Sequence, residues 1–380
     1  MLFTQLLEKR LGHTVAAIVE PHLPSHAFVR HMLDEDGIVG PDIIDDAETA
    51  FDRYPASEID GVFIMTPEWT HAEVFRSVTD RGYNVFLEKP IATSVEDVEE
   101  ISAIAEFYPG VIQLGFVLRY STFYRKVKEW LDGRPLGRIV TLQLNERLTV
   151  EHGMKFKRSW HRKVAYTGGF MNEKCSHDLD LMCWFKEDDG AKPVRVVSMG
   201  NRGFATEDRG QTNCSTCTIA DCLFRDSPDN YAKQVGGTVL LDSTAAVDSC
   251  IYSNDSDIND NQTVMIQFDD GSHGVFSTVA MSGLHGRDLM IHLEYGMIWG
   301  NLEEGRLTKV DYRTGATEVF GVEGMDMHGG GDEQVVHEFV ECIVSGSRPL
   351  ARVEDGARAS LLALLADASI AQLAIMDVAR

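Results

Sequence analysis

The residues best suited to chemistry in this chain are a lysine and a histidine, each set in a short polar motif. Lys89 stands between a glutamate and a proline, directly after an apolar run. His177 lies four residues after Glu173 and three before Asp180. Oxidation of an alcohol needs a base for the hydroxyl proton and a cation that stabilises the developing alkoxide. A histidine and a lysine ammonium could fill these two roles at neutral pH.

Each motif also has a structural interpretation. Proline holds the residue before it extended, so Lys89 is predicted at the carboxyl end of a strand, the edge where α/β sheets bind ligands. Turns of this kind also simply end strands, and a surface lysine is an equal alternative. Positions 173, 177 and 180 follow i, i+4, i+7 spacing and share one helix face. From the residues alone, a histidine satisfied in a core is favoured over a catalytic one.

The elements that must carry these motifs alternate between strand and helix signals. Near-continuous apolar runs separated by helical patterns predict a parallel sheet that is covered on both faces. Within the stretch "TSVEDVEEISAIAEF", Thr93 and Glu96 have the spacing of a capping box. The opening "MLFTQLLEKRLGH" is interpreted as a first helix. The predicted strands are residues 14–19, 60–65, 82–88 and 110–118.

The predicted secondary structure changes from about residue 137. From there the strand patterns are longer and include hairpin signals such as Asp270-Gly271. These patterns predict a second α+β domain built on an open, mostly antiparallel sheet. We expect residues 1–118 to form the first domain and residues 119–380 to form the second. The C-terminal helices, residues 331–378, should pack back on the body.

Composition excludes some classes of function. The 380 residues carry a formal net charge of −24, which repels nucleic acids and anionic lipid. No run reaches the length of a membrane span, and the first residues lack the pattern of a signal peptide. Seven cysteines, an odd number, favour free thiols in a reducing compartment over a disulfide framework. The composition therefore predicts a cytoplasmic protein that binds neither nucleic acid nor membrane, and it says little about a small ligand.

Several stretches together resemble the glucose–fructose oxidoreductase/inositol dehydrogenase/MocA-like (Gfo/Idh/MocA) family of nicotinamide-dependent dehydrogenases. They are "TPEWTHAEVFRSVTDRGYNVFLEKPIATS", "GFVLRYSTFYRKV", "GGFMNEKCSHDLDL" and "GGGDEQVVHEFVECIVSG". The resemblance covers nearly the whole chain. It implies that residues 1–118 form a Rossmann-like domain that binds NAD(P) and that residues 119–380 form a domain for substrate binding and oligomerisation. The open sheet of this second domain often builds oligomers in the family, so a homodimer or homotetramer is expected.

The resemblance also implies roles for individual residues. Lys89 would lie beside the nicotinamide and the substrate hydroxyl, and His177 would be the general acid/base, which makes catalysis its favoured role. Glu173 stands where the family usually has aspartate, so its role as orienter or hydroxyl contact is open. Arg158, Trp160 and His161 could line a sugar pocket or equally form a packed loop. The expected cofactor-binding residues are Glu20, Thr66, Pro67, Trp69, His71, Glu88 and Lys89. The expected substrate-binding residues are Arg119, Arg158, Trp160, His161 and Asp180.

A Rossmann domain should open with a strand and the sequence Gly-x-Gly-x-x-Gly, whose backbone carries the pyrophosphate. This chain has no such element before Glu20, so its first strand and glycine loop are expected to be missing. A misassigned start codon and a real loss of the strand are the two explanations, and the first is favoured because the later motifs are intact. If Glu20 binds the ribose, NAD is favoured over NADP, because a carboxylate repels the 2′-phosphate.

Four cysteines raise the possibility of a metal site. Cys214, Cys217 and Cys222 have close spacing, and Cys175 lies in the His177 motif. Four thiolates could hold zinc. The spacing is incomplete as a motif, and cysteine is readily buried as a free thiol, so free thiols and no metal are favoured.

The sequence as a whole predicts an enzyme that transfers a hydride between NAD and a secondary alcohol of a sugar, cyclitol or related polyol. One alternative is an NAD-dependent glycoside hydrolase of the same architecture. Another is a non-catalytic sugar- or partner-binding relative that has lost nucleotide binding.

Overall fold

The computed structural model describes residues 2–225, 248–253, 255–322 and 328–378. The N-terminal part alternates helices and short parallel strands. Its elements are α1 (Leu2–Gln5), a π-helical segment (Leu6–Leu11), β1 (Ala17–Val19), α2 (Leu23–Glu35), β2 (Asp42–Ile44), α3 (Ala47–Arg53), β3 (Gly61–Ile64), α4 (His71–Thr79), β4 (Asn84–Leu87), α5 (Val95–Phe107) and β5 (Ile112–Leu114).

The parallel strands form two separate ladders. One pairs β1 with β2, and the other has the order β3-β4-β5. Among the described residues, no strand is hydrogen-bonded to both ladders. Strand β4 is central, and its residues Val85, Phe86 and Leu87 are fully buried, as expected for a parallel strand covered on both faces. The predicted Rossmann-type parallel sheet is confirmed, and β2 is a strand that the sequence reasoning missed.

Helix α5 begins one residue later than predicted. The Oγ atom of Ser94 accepts a hydrogen bond of 3.1 Å from the backbone N–H of Asp97, so Ser94 is the N-cap. The predicted capping box at Thr93 is therefore wrong by one position. Serine and threonine are both good caps, and two of them in succession leave the start of the helix ambiguous in the sequence.

The C-terminal part is built on a nine-stranded sheet, confirming the predicted open, mostly antiparallel sheet. In the part of the chain that the structure describes, the strand order is β13-β12-β11-β10-β6-β9-β8-β7-β14, and only β6 and β9 pair in parallel. Gly271 has φ +83° in the turn between β8 and β9, where the hairpin was predicted. The elements are α6 (Thr122–Leu131), β6 (Ile139–Thr149), α7 (Val150–Phe156), α8 (Val164–Thr167), α9 (Phe170–Lys186), β7 (Pro193–Asn201), β8 (Asn261–Phe268), β9 (His273–Ser282), β10 (Gly286–Leu293), β11 (Gly296–Asn301), β12 (Arg306–Asp311), β13 (Thr317–Gly321), α10 (Gly331–Ser345), α11 (Val353–Gln372) and β14 (Met376–Asp377).

Two large hydrophobic clusters hold most of these elements, and a small one lies under β1 and β2. The first surrounds β3, β4 and β5 and includes α10, whose Phe339 ring lies 5.2 Å from the Phe63 ring. The second lies between α9 and one face of the nine-stranded sheet. The turn Val117–Tyr120 contributes to both clusters, and this supports our proposal that the two domains meet at residues 118–119. In the described part of the chain, no helix is long and apolar enough to cross a bilayer.

Candidate active site

Lys89 reaches across the crevice between the two parts of the chain. It follows β4 and lies at the carboxyl edge of the β3-β4-β5 ladder, as predicted. Its Nζ atom donates a hydrogen bond of 2.8 Å to the backbone carbonyl of Glu173, in the first turn of α9. An ammonium group has three hydrogens, so this bond fixes its position and leaves two hydrogens for other acceptors. Lys89 and the α9 motif therefore belong to one site.

A pair of glycines starts helix α9 at the correct place. Gly168 and Gly169 have φ of +67° and +98°, a region that favours glycine. A Cβ atom on Gly169 would lie 2.0 Å from the Oδ2 atom of Asp367 in α11. Asn172 then ties the first turn to the N-terminal part, because its Nδ2 atom donates to the carbonyl of Ala92 at 2.9 Å. These contacts fix the position of the first turn of α9 relative to α11 and to the N-terminal part of the chain.

His177 lies one turn of helix further on and is buried, with 5% of its surface exposed. Its ring is 5.8 Å from the Phe116 ring at the end of β5. Burial, followed by the positive charges of Lys89 and His328, lowers the pKa of His177 well below the ordinary value. The imidazole is therefore neutral at pH 7 and can accept a proton. Its Nδ1 atom is buried and has no hydrogen-bond partner among the described residues.

Two carboxyl groups and a histidine form the wall beside Lys89. The Nδ1 atom of His161 is in short contact with the Oε1 atom of Glu173. Burial alone would lower the pKa of His161, but the Glu173 carboxylate outweighs it and the pKa is raised. Glu68, in the turn Glu68–Thr70 that follows β3, faces the same pair. Burial and repulsion from Glu173 raise the pKa of Glu68 to about 7.

Three aromatic rings lie next to these carboxyl groups. The Trp69 ring is 6.0 Å from the Trp160 ring and 4.9 Å from the Tyr166 ring. Trp160 in turn lies 4.4 Å from the His161 ring. The structure thus brings Trp69, Trp160 and His161 together from two predicted groups, one assigned to the cofactor and the other to the substrate.

Arg119 and Asp180 lie outside this crevice. Each is 1% exposed, and the Nη2 atom of Arg119 is 2.7 Å from the Oδ1 atom of Asp180. Its Nη1 atom is 3.1 Å from Asp355 in α11. The seven-residue spacing does place Asp180 on the face of Glu173, but about 10 Å further along the helix axis. This buried ion pair supports a core role, which we propose for Arg119 and Asp180 in place of the predicted substrate role.

Arg158 also points away from the crevice. It is buried, and its guanidinium donates to the carbonyls of Phe224 at 2.7 Å and Ser249 at 3.2 Å. These bonds fasten the segment that carries the cysteines. These contacts support the packed-loop alternative for Arg158, whereas His161 lies against Glu173 and Trp160 lies near Trp69.

The residues expected to hold the cofactor follow the strands of both parallel ladders. Glu20 follows β1 and accepts a hydrogen bond of 2.9 Å from the backbone of His22. Thr66 and Pro67 follow β3, and Glu88 follows β4. The Glu88 carboxyl lies against Gly115, where a Cβ atom would be 2.9 Å away, and burial raises its pKa. These side chains lie along the carboxyl edges of their ladders, where this fold binds dinucleotides.

His71 connects two turns at this edge. Its Nδ1 atom lies 2.9 Å from the carbonyl of Pro90, and its Nε2 atom lies 3.0 Å from the carbonyl of Thr66. The ring is 1% exposed. Its predicted place in the cofactor site is therefore that of a residue that positions the Thr66 and Lys89 turns relative to each other.

Sequence reasoning missed a second histidine near His177. His328 precedes α10, and its ring centroid lies 6.4 Å from that of His177. Its Nδ1 atom is 3.0 Å from the carboxylate of Asp332, four residues later. The quoted segment "GGGDEQVVHEFVECIVSG" contains Asp332, but nothing in the local pattern relates it to α9. Glu68 was missed as well, although it directly follows the Thr66-Pro67 pair that was singled out.

A buried charge network supports α9 from the side of the sheet. The Nζ atom of Lys174 lies 2.8 Å from Glu146 on β6. Arg287 on β10 contacts Glu146 and lies 3.3 Å from Asp178. Polar residues that alternate with His177 along α9 therefore pair with the sheet, and the helix presents polar groups on two sides.

The cysteine cluster differs from the prediction in its fourth member. Cys214, Cys217 and Cys222 line a small cavity of about 10 Å³ together with Cys250, whereas Cys175 is buried in α9. All seven cysteines are free thiols. Within the described ranges, no group of three or more histidine, cysteine or acidic side chains has the arrangement needed to hold a metal ion.

Comparison with known protein families places both parts of the chain. Residues 3–116 match a family described as an oxidoreductase family with an NAD-binding Rossmann fold. Residues 124–299 match the GFO/IDH/MocA C-terminal domain. The Rossmann match makes NAD the cofactor of the N-terminal domain.

The individual relatives have low sequence identity to this chain. The chain is 26% identical over 276 residues to YteT of Bacillus subtilis (strain 168), named as an oxidoreductase, covering 67% of this chain and 63% of that protein. It is 29% identical over 136 residues to inositol 2-dehydrogenase 3 of Saccharopolyspora erythraea, covering 35% of this chain and 37% of that protein. The chain thus spans less than two thirds of the length of these relatives.

Among solved structures, a levoglucosan dehydrogenase in complex with NADH and levoglucosan has a similar fold. The TM-score is 0.75 at 15% identity, covering 100% of this chain and 95% of that one. At this identity the likeness shows the fold alone.

Proposed function

The chain belongs to the Gfo/Idh/MocA oxidoreductase family, and on this premise we propose that it transfers a hydride between NAD and a carbon bearing a secondary hydroxyl of a sugar, cyclitol or related polyol. The names of its relatives, an inositol dehydrogenase and a levoglucosan dehydrogenase, support this substrate class. The observation that carries the proposal is the hydrogen bond of 2.8 Å between the Nζ atom of Lys89 and Glu173, which brings the lysine to the helix of His177.

The residues fit a nicotinamide cofactor that would lie along the carboxyl edge of the parallel strands. Glu20 would hold the ribose hydroxyls, and the turns at Thr66 and Glu88 would lie along the dinucleotide. The Nδ1 atom of His177 is buried and has no partner within the described ranges, as expected where a bound reactant would complete the site. When bound, NAD supplies the acceptor for the hydride.

The two catalytic side chains divide the work on the hydroxyl group. The Lys89 ammonium would donate a hydrogen bond to the substrate oxygen and stabilise its developing negative charge. His177 would take the hydroxyl proton, because its lowered pKa keeps the ring neutral. Glu173 would position Lys89 through its backbone carbonyl and His161 through its carboxylate.

The test is NADH production by the purified chain with a panel of neutral polyols. We expect Lys89→Met and His177→Asn each to lower kcat/KM by about a hundred- to ten-thousand-fold. The matched controls are Lys192→Met and His31→Asn, at exposed positions. Variants as active as these controls would refute the roles. Glycoside cleavage without net NADH production would point to a hydrolase instead.

We also propose a homo-oligomer in the cytoplasm. Among the described residues, one face of the nine-stranded sheet is not packed in the large hydrophobic cluster of the second domain. On this face Met265 pairs with Val275, and Met290 pairs with Trp299, and Gln143 lies between the two pairs. A second copy could cover this apolar row. Light scattering on the purified chain would test this, and a monomeric mass at working concentrations would refute it. The seven free thiols support a reducing compartment, and disulfides in protein isolated from cells without reductant would contradict it.

A further inference from the structure

Glu68 and Glu173 approach the crevice from opposite sides. Glu68 comes from the turn after β3 in the N-terminal domain, and Glu173 comes from the first turn of α9. In each carboxyl group the Oε2 atom is buried and has no hydrogen-bond partner among the described residues. An unpartnered buried acceptor is costly for a folded protein, so both oxygens are expected to bind a donor in the working state.

Aromatic rings border the two carboxyl groups. The rings of Trp69, Trp160 and Tyr166 form an aromatic wall with centroids 4.9 and 6.0 Å apart. The Nε1 atom of Trp160 is also buried without a partner among the described residues and offers a single donor. Aromatic faces pack well against the apolar C–H face of a ring, while polar groups at the edge fix its orientation.

We propose that Glu68 and Glu173 together bind hydroxyl groups of an uncharged polyol ring and exclude rings that carry a carboxylate. The proposal rests on the proposed function and adds the charge class of the substrate. Hydroxyl groups supply the hydrogens that two carboxyl oxygens need. A carboxylate would face like charges across a buried site, which is strongly unfavourable. Lys89 and His161 are the cations that face the pair, and both already contact Glu173.

The state of Glu68 makes this selectivity depend on pH. Burial and repulsion from Glu173, opposed by His161 and Lys89, raise the pKa of Glu68 to about 7. Above pH 7 the group is charged and would attract an amine-bearing ring. Below pH 7 it carries a proton, and this attraction is lost. Affinity for an amino sugar should therefore rise as the pH rises through about 7, and affinity for the neutral ring should change less.

The experiment measures binding rather than turnover. In the presence of NADH, tryptophan fluorescence of the full chain is titrated with neutral sugars and cyclitols, and with the carboxylate and amine counterparts of the tightest binder. We expect the carboxylate ring to bind at least tenfold more weakly than the neutral ring. We expect Glu68→Gln to narrow that gap and to flatten the pH dependence for the amine. Glu73→Gln, at an exposed position of α4, is the matched control.

Equal or tighter binding of the carboxylate ring overturns the proposal. It is also overturned if Glu68→Gln leaves the ratio unchanged, or if no neutral ring binds. A separate NADH titration of the same sample distinguishes these failures from failure of the proposed function, because cofactor binding would persist. If Glu68→Gln fails to fold, the pH series on the unchanged chain still decides.

Discussion

Replacement of Arg119 by methionine separates a core role from a role in the substrate site. The guanidinium lies 2.8 and 2.7 Å from the two oxygens of Asp180 and 3.1 Å from Asp355. All three side chains are at most 1% exposed. Removing one partner of a buried ion pair typically costs about 3–5 kcal/mol, because the remaining charge stays buried. We expect a loss of this size for Arg119→Met at pH 8, since Asp355 keeps a contact with Arg358 but Asp180 loses its two hydrogen bonds.

The stability lost in Arg119→Met should be smaller at acidic pH, because Asp180 takes up a proton there. Burial, opposed by Arg119, raises the pKa of Asp180 in the folded protein to about 6, above its ordinary value. Such a group stabilises the fold below its unfolded pKa and loses that contribution as the pH rises through about 6. Without Arg119 the folded pKa rises further. Between the folded pKa of Asp180 with Arg119 and the higher one without it, each pH unit changes the difference in free energy of unfolding between the two proteins by about 1.4 kcal/mol.

The assay is urea unfolding followed by tryptophan fluorescence at pH 8 and pH 5, with Arg125→Met at an exposed site of α6 as the matched control. NADH-linked turnover of the fraction that is folded is measured in parallel. Full stability with a raised KM would refute the core assignment and restore the substrate role. A loss of stability that is the same at both pH values would refute the account of Asp180.

A glycine substitution tests the start of α9, and a comparison of NADH with NADPH tests the choice of cofactor. Gly169→Ala should lower the free energy of unfolding in urea by at least about 2 kcal/mol, because φ is +98° and the new Cβ would meet Asp367. The control Gly190→Ala, at φ +67° and with open space around the new Cβ, should lower it by about 1 kcal/mol. Equal losses in the two variants would contradict this account. Fluorescence titration should show tighter binding of NADH than of NADPH, since the Glu20 carboxylate repels a 2′-phosphate; a preference for NADPH would remove Glu20 from the ribose site.

The sequence predicted that Lys89 ends a strand and that His177 lies on a helix face because these signals are local, whereas their catalytic roles were implied by the family resemblance. Proline fixes the backbone before it, and helix periodicity reports which residues share a face. Periodicity does not report depth along the axis, and this is why Asp180 was grouped with His177 although it pairs with Arg119. The fold class was predictable for the same reason, because the hydrophobic periodicity of strands and helices can be recognised within a short stretch of sequence.

The rest of the site depends on contacts between distant segments. Glu68 and Glu173 are more than a hundred positions apart, and no short pattern relates them. His328 reaches His177 only because α10 returns to the N-terminal domain. The fourth cysteine of the cluster, Cys250, comes from a segment far from Cys214 and meets it across the pairing of Asn213 with Ser249. Such meetings are decided by tertiary packing rather than by local preference.

The two parallel ladders should differ in how readily their amide hydrogens exchange with solvent. The β1–β2 ladder rests on a small cluster that contains Val29, Leu33 and Ile38, whereas the β3-β4-β5 ladder lies in a large one. Segments with fewer buried contacts open more often. A dinucleotide held by Glu20 and Lys89 would span both ladders and stabilise the weaker one by mass action. The cofactor would then act as a structural tie between the halves of its own binding domain, and its arrival would slow exchange in β1 and β2 far more than in β4.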